Sequence, residues 1–207
     1  MLDMHASVIS YKTAVDLVVS YHYLHRKPPI SIAYGLFNSE GILKGVMTFG
    51  TPASHHMVIG ACPSEPESVI ELNRLWVCDT MPRNTESWFI SRVLAEIPPK
   101  IVLSYADTTM GHVGIVYRAA NFFYAGWTDM DRKTPRFDYI APGKHSRDAF
   151  RSGFVDKVRR KPKIKYWTVS GRRSERKRLE KICCWPKLDW KTNPPPIEHA
   201  KLSEQWS

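Results

Sequence analysis

The stretch ELNRLWVCDTMPRNTESWFISRVL, Glu71 to Leu94, limits the fold more than any other. An apolar strand runs directly into a helix there, and a second buried strand, IVLSYAD, follows. A chain that alternates in this way lays helices over a sheet, because no single element can bury its apolar face alone. Two polar residues, Asn73 and Arg74, interrupt the first strand. An arginine in that place is either a paired or edge-facing guanidinium, or it meets an anion or substrate where strand becomes helix.

The flanking segments carry their own signals. In TAVDLVVSYHYL, Ala14, Leu17, Val18 and Tyr21 recur at helical spacing, and the HRKPP turn ends the helix. ISIAYGLFN and ILKGVMTFG flank Ser39-Glu40-Gly41, a hairpin signal. TPASHHMVIGACPSEPES reads as a long polar, Pro-containing loop, a candidate for a mobile or substrate-facing segment. The helix from about Thr85 puts Phe89, Ile90, Val93, Leu94 and Ile97 on one face and stops before Pro98. GHVGIVYRAANF reads as a helix, FFYAGWT as a strand, and residues 137–141 and 163–170 as closing strands.

Thirty Lys and Arg against twenty Asp and Glu leave a net charge of +10 and a pI near 9.5. That balance suits a polyanion, since each cation placed on a phosphate releases condensed counterions. No stretch approaches the ~20 apolar residues that span a bilayer, and MLDMHASVISYK lacks a basic segment followed by an apolar one. The expectation is a soluble chain that is not exported. Cys62, Cys78, Cys183 and Cys184 form no CxxC pair and read as reduced thiols.

From about Lys157 the basic residues Arg159, Arg160, Lys161, Lys163, Lys165, Arg172, Arg173, Arg176 and Arg178 are interleaved with Tyr166, Trp167, Trp185 and Trp190. Cations for phosphates and rings for stacking are the two components of a nucleic-acid surface. The alternative is a solvated helix whose Glu175 and Glu180 pair with nearby bases while the aromatics dock it to the core. The surplus of cations favours the first. The last stretch, KTNPPPIEHAKLSEQWS, is expected to be an extended tail.

Three places bring reactive groups to element ends. His22 and His25 lie three apart near the end of the first helix and can share a face. Asn73 and Arg74 precede the polar turn Pro82 to Ser87, where a helix start offers free amides to an anion, unless Asn84 or Thr85 is only its cap. Ser104, Tyr105, Asp107 and His112 stand beyond the carboxyl end of a strand, where ligands bind in open sheets. Asp107 is there a general base, a metal ligand or a helix cap. His22, His25, Asp107 and His112 supply ligand types that suit iron or zinc, although no local spacing marks a metal site.

The succession SYHYLHR, YGLFNSEGILKGVMTFGTPAS, ELNRLWVCDTMPRNTESWFI and SYADTTMGHVGIVYRAANFFYAGWT spans most of residues 20–128. It resembles the Mom family of phage DNA modification proteins, which are similar in architecture to the GNAT acyltransferases. The resemblance implies an α+β fold: a GNAT-like mixed central sheet flanked by helices, splayed between the ELNRLWV and IVLSYAD strands. It implies a catalytic domain over residues 1–155 and a basic C-terminal extension over 156–207 that binds nucleic acid and packs on the core. The implied activity turns the N6 amine of adenine in DNA into an N6-methylcarbamoyl (acetamido) adenine, shielding phage DNA from restriction. The implied location is the cytoplasm, the host's if the chain is phage-encoded.

By the same carry-over His22, Arg74, Ser87 and Asp107 belong to the active site, with Tyr105 or Tyr117 as acid and Asp107 or His22 as proton acceptor. Asn73, Arg83, Asn84 and Thr85 are the donor-binding candidates. DTMPRNTESW has no glycine where GNAT enzymes wrap a pyrophosphate, so the donor stays open between an acyl-CoA-like molecule, a glycine-derived one and one assisted by a metal such as iron. The expected partner is double-stranded DNA with a flipped adenine. No membrane partner is expected, and a dimer stays open. Two rivals remain: a GNAT-like acetyltransferase acting on RNA or protein, and a non-catalytic DNA-binding module.

Overall fold

The computed structural model describes residues 4–129, 132–140 and 146–195. In chain order the elements are β1 (His5–Val8), α1 (Tyr11–Tyr21), β2 (Ile32–Phe37), β3 (Leu43–Gly50), α2 (His55–Ala61), β4 (Val69–Val77), α3 (Thr85–Leu94), β5 (Ile101–Asp107), α4 (Ile115–Ala119), β6 (Phe123–Trp127), β7 (Phe137–Tyr139), α5 (Ser146–Arg151), β8 (Lys157–Arg159), β9 (Lys163–Val169) and α6 (Arg173–Ile182). Local chemistry sets several boundaries. Ser10 starts α1 by accepting from the Thr13 amide at 3.1 Å. The β2–β3 turn is held by Asn38, whose Oδ1 accepts from the amides of Glu40 and Ile42, and by Gly41 at φ 72°.

Seven strands form one sheet in the order β1-β2-β3-β4-β5-β9-β6. β4 and β5 run parallel through the α3 crossover, and every other neighbouring pair is antiparallel. This is the expected α+β architecture, a mixed sheet with helices on both faces. One face buries Leu36, Met47, Ile70, Leu72 and Val102 against Phe89, Ile90 and Val93 of α3. The opposite face buries Ile101, Leu103, Trp167 and Val169 against α2 and α6, and Ala33 and Val46 against Ala14 and Val18 of α1. Among the described residues no helix is long and apolar enough to cross a membrane.

Several sequence expectations change in three dimensions. The polar stretch after β3 contains a helix, α2, because Val58 and Ala61 are spaced to bury one small face. α1 ends at Tyr21, well before the prolines, and His25 takes φ 44°. His22 and His25 therefore share no helix face. α4 begins only after Gly114, at φ 78°, where a Cβ would fall 2.3 Å from the Tyr166 ring. Residues 137–139 do not close the main sheet; they pair with β8 in a separate two-stranded sheet.

Residues 163–169 enter the sheet between β5 and β6, so part of the basic segment is interior. A strand covered on both faces buries successive side chains, and Tyr166 and Trp167 are 0% and 1% exposed. Trp185 is buried too, and the Trp167 indole donates to the Pro186 carbonyl at 2.9 Å. These rings are core, not the stacking platform expected of them. The tail expected over residues 191–207 is described only as far as Pro195, and residues 196–207 lie outside the described residues.

Because β9 hydrogen-bonds to both β5 and β6, a chain ending at residue 155 should lose cooperative thermal unfolding, followed by circular dichroism, while the full chain keeps it. A cooperative transition in the shortened chain would mean that the sheet closes without β9.

Candidate active site

Two irregularities in β4 create the site. On its β3 side, Thr48 pairs with Arg74 and Phe49 with Leu72, leaving Asn73 as the extra residue of a bulge. A bulge re-aims the side chains that follow it. Leu72 and Leu75 therefore both pack on the α3 side, while Glu71, Arg74 and Trp76 turn to the α1 side. Asn73 fixes the bulge: its Oδ1 accepts from the Thr48 hydroxyl at 2.6 Å and its Nδ2 donates to the Pro29 carbonyl at 2.7 Å. Gly50 makes this close approach feasible, since a Cβ there would lie 2.0 Å from the same Pro29 oxygen.

On its β5 side, β4 pairs through only three rungs, Val69–Ile101, Ile70–Val102 and Glu71–Leu103. Beyond them the strands part, as expected. The Ser104 hydroxyl takes over the Leu72 carbonyl at 3.0 Å and also hydrogen-bonds with Tyr117. Each half of the sheet stays paired on its far side, β4 to β3 as far as Val77 and β5 to β9 as far as Asp107.

The end of α1 leads toward this opening. His22 is buried, and its Nδ1 accepts from the Leu24 amide at 3.1 Å. Burial, followed by the charges of Arg74, His112, His25 and Lys163, lowers its pKa to about 4. The ring is therefore neutral at pH 7, with its proton on Nε2. It presents a donor, while its lone pair is already engaged. Tyr23 stacks on His22 at 4.3 Å and meets His112 edge-on at 5.2 Å. Burial and Asp107 push the Tyr23 phenol up to about 12.

Arg74 donates from Nη1 to its neighbour's carbonyl, Asn73 O, at 2.6 Å, yet its buried Nε has no hydrogen-bond partner. Burial first, then Arg26, lowers its pKa. A buried donor left unpaired costs about 1–3 kcal/mol, which an acceptor supplied from outside would remove.

Asp107 lies at the last β5–β9 rung. It accepts from the Thr109 amide at 3.1 Å and from the Thr109 hydroxyl, and it meets Lys163 Nζ at 3.0 Å. Burial alone would raise its pKa; the Thr109 hydroxyl and the Lys163 ammonium outweigh burial and hold it below the ordinary carboxylate value. Glu71 behaves in the opposite way. Burial raises it to about 7, against the Ala53 backbone hydrogen bond and the charges of Arg74 and Lys163. The Tyr105 hydroxyl, whose pKa is raised by burial and by Glu71, is buried without a partner.

The structure thus gathers His22, Arg74, Tyr105 and Asp107 on one face of the opened sheet, and adds Tyr23, Glu71, Arg26 and Lys163. Glu71 was visible in the sequence as a carboxylate inside an apolar strand, and Tyr23 as the neighbour of His22. Lys163 had no local signal, because only the β5–β9 register brings it to Asp107. Ser87, Arg83, Asn84 and Thr85 lie at the start of α3, on the other face. Asn84 caps α3 with φ 68° and no side-chain hydrogen bond, taking the left-handed conformation that glycine would otherwise supply. Ser87 donates to Asn84 O at 3.0 Å, and Thr85 to Pro82 O at 2.6 Å.

The expected nucleic-acid cations divide among several places. Lys163 is committed to Asp107, Arg160 to Asp138 and Arg178 to Glu65, while Lys165 lies 5.3 Å from the Trp185 ring centre. Arg159 is exposed at the end of β8 and Lys161 just after it, and Arg172, Arg173 and Arg176 are exposed on α6 or at its start. The iron expectation gains no support: among the described residues no group of three or more His, Cys, Asp and Glu side chains could hold a metal ion, and Nδ1 of His22 is already occupied.

The Mom protein family matches residues 3–182. The methylcarbamoylase mom of Escherichia phage Mu is 32% identical over 133 residues, covering 60% of this chain and 54% of that protein. The chain therefore spans about half the length of that relative. Among solved structures, a GNAT-family acetyltransferase from Bacillus cereus is similar with a TM-score of 0.46 and 13% identity, over 82% of this chain and 99% of that one. A ribosomal-protein-S5-alanine acetyltransferase from Vibrio fischeri is similar with a TM-score of 0.48 and 7% identity, over 82% and 94%.

Glu71 gives a direct test of the buried site. Its folded pKa lies above the unfolded value, so its contribution to stability is complete below about pH 4.5 and is lost as pH rises through about 7. Glu71→Gln should therefore raise stability at pH 8 by about 1–3 kcal/mol and leave it unchanged at pH 4, read by thermal unfolding at both values. Equal effects at the two pH values would show that Glu71 ionises as a solvated carboxylate.

Proposed function

The chain belongs to the Mom protein family, and on that premise we propose that it modifies phage DNA, converting the N6 amine of adenine to the methylcarbamoyl (acetamido) form. The observation that supports this reading most is the opening between β4 and β5. There a buried carboxyl with a pKa near neutrality, an unpartnered guanidinium N–H and a neutral histidine N–H donor face one side. An adenine brought there has left the stack, since its amine is out of reach within a duplex.

The amine is a poor nucleophile because its lone pair is delocalised into the ring, so proton removal as the N–C bond forms lowers the barrier most. Glu71 suits that task better than the two acceptors suggested by the sequence. Asp107 is held ionised by Thr109 and Lys163, and the accepting nitrogen of His22 is engaged by Leu24. In this reading the N6 proton passes to Glu71 as N6 bonds to the electrophilic carbon of the donor. The donor's leaving group departs with the electron pair of the broken bond.

Arg74 Nε–H and His22 Nε2–H stabilise the negative charge that develops there. Tyr105, next to Glu71 in the field of the site, is the acid. Tyr117, tied to Ser104, positions the opening. Asp107 holds Lys163 and so sets the charge facing His22.

An acyl-CoA-like donor carries phosphates, and the residues at the start of α3 fit such a group. Asn84 leaves the helix terminus without a side-chain cap, and Arg83 is exposed beside it. Arg83, Asn84 and Ser87 would hold the phosphates; Thr85, buried with its hydroxyl and amide both on Pro82 O, shapes the turn, and Asn73 shapes the cleft behind it. When bound, the donor would supply the electrophilic carbon as part of a group that already carries the amide nitrogen, since an acetyl thioester alone would leave a plain N6-acetyl adenine.

Nucleoside mass spectrometry of DNA from cells expressing the chain should find an adenine nucleoside heavier by an acetamido-sized group. Arg74→Met should lower its yield by roughly 10²-fold, the loss typical of removing one such donor. Glu71→Gln should abolish the product while the protein stays folded, and in the wild type the rate should rise with pH through about 7. Unmodified DNA, or a product level indifferent to both substitutions, would overturn the reading.

A further inference from the structure

The β7–β8 sheet is the least explained part of the molecule. Residues 132–161 contain ten Lys and Arg against three Asp, so 30 of the 207 residues hold seven of the chain's ten net positive charges. The same segment exposes apolar side chains that a folded chain normally covers: Ile140 at 53%, Phe150 at 59%, Phe154 at 38% and Val155 at 80%.

Their placement is ordered. In the ladder Phe137 faces Arg159, Asp138 faces Val158 and Tyr139 faces Lys157, and the Ile140 amide donates to Asp156 O at 2.9 Å. Ile140 and Val155 therefore mark one end of the hairpin. At the other end the Arg160 amide donates to Arg136 O at 2.8 Å, and only residues 160–162 separate β8 from Lys163, the partner of Asp107. The joined end lies beside Lys163 of the candidate site, and the apolar end is four residues farther along the ladder, about 13 Å by strand rise. Arg160 on Asp138, and Phe150 against Tyr139 at 4.7 Å, hold the unit together.

We infer that this hairpin is a DNA-engaging wedge: its exposed cations, Lys157, Arg159 and Lys161 among them, hold phosphates, while the apolar end inserts between base steps and opens the stack beside the active site. The inference rests on DNA being the substrate, as proposed above. Apolar side chains flanked by basic ones are the means by which proteins unstack and kink a duplex. A second copy of the chain is the poorer occupant, because two surfaces carrying this surplus of positive charge repel one another. Unstacking at this place also supplies what modification of an adenine amine requires, a base taken out of the helix.

Two double variants of the full chain separate the two contributions on plasmid DNA, with no need to know the modified sequence. Insertion between base steps unwinds a duplex, so the wild type should shift the topoisomer distribution of plasmid relaxed in its presence by a topoisomerase. Ile140→Ser with Val155→Ser should remove that shift while leaving the salt dependence of binding unchanged. Lys157→Gln with Arg159→Gln should reduce the slope of log K against log salt by about two. All four side chains are exposed, and thermal unfolding like that of the wild type confirms that both variants are folded.

Both variants matching the wild type in slope and topoisomers would overturn the wedge while leaving the proposed function intact. So would sedimentation showing a wild-type dimer that the serine variant makes monomeric with topoisomers unchanged, because the apolar end would then be a self-interface. A wild type that does not bind plasmid at all would overturn the proposed function, and the wedge with it.

Discussion

The parallel pairing of β4 with β5 stops after three rungs, and the rest of the site follows from that interruption. Two strands that part in the middle of a sheet expose backbone groups which must find other partners. The Ser104 hydroxyl on the Leu72 carbonyl supplies one. The sheet tolerates the opening because each strand remains paired on its far side. The bulge at Asn73 then decides what lines the gap: without an extra residue, Glu71 and Arg74 would point to opposite faces, and the α1 side would hold one without the other.

The charges gathered there are balanced so that each group differs from its ordinary state for a separate reason. Glu71 is kept near neutrality by burial, which outweighs the two cations in its field. Asp107 experiences burial as well, yet its contacts with Thr109 and Lys163 prevail. His22 is made a donor by burial first, then by the surrounding positive charge, with a single backbone amide engaging its Nδ1. Similar side chains thus take up different protonation states within one cluster, the usual arrangement where an acid and a base must work side by side.

The basic segment serves two physical purposes that are hard to tell apart from composition. β9 contributes Tyr166 and Trp167 to the core and Lys163 to Asp107, so its charges and rings are partly internal. The hairpin preceding it carries its cations and apolar side chains outward. One stretch of sequence therefore contributes both to the centre of the sheet and to the surface best suited to a polyanion.

The sequence by itself determined many of the elements and the identity of most reactive groups. Strand and helix periodicities, the hairpin at Gly41 and the stop at Pro98 are local properties, and so is the presence of His22, Arg74, Tyr105 and Asp107 at or near element ends. It showed Glu71 only as a carboxylate inside an apolar strand, because such a group reveals its pKa only through what buries it. Tertiary structure alone decided that β9 lies between β5 and β6, that residues 137–139 leave the main sheet, and that Lys163 faces Asp107. Those outcomes depend on strand order and register, set by the packing of both sheet faces together, and no window of neighbouring residues carries that information.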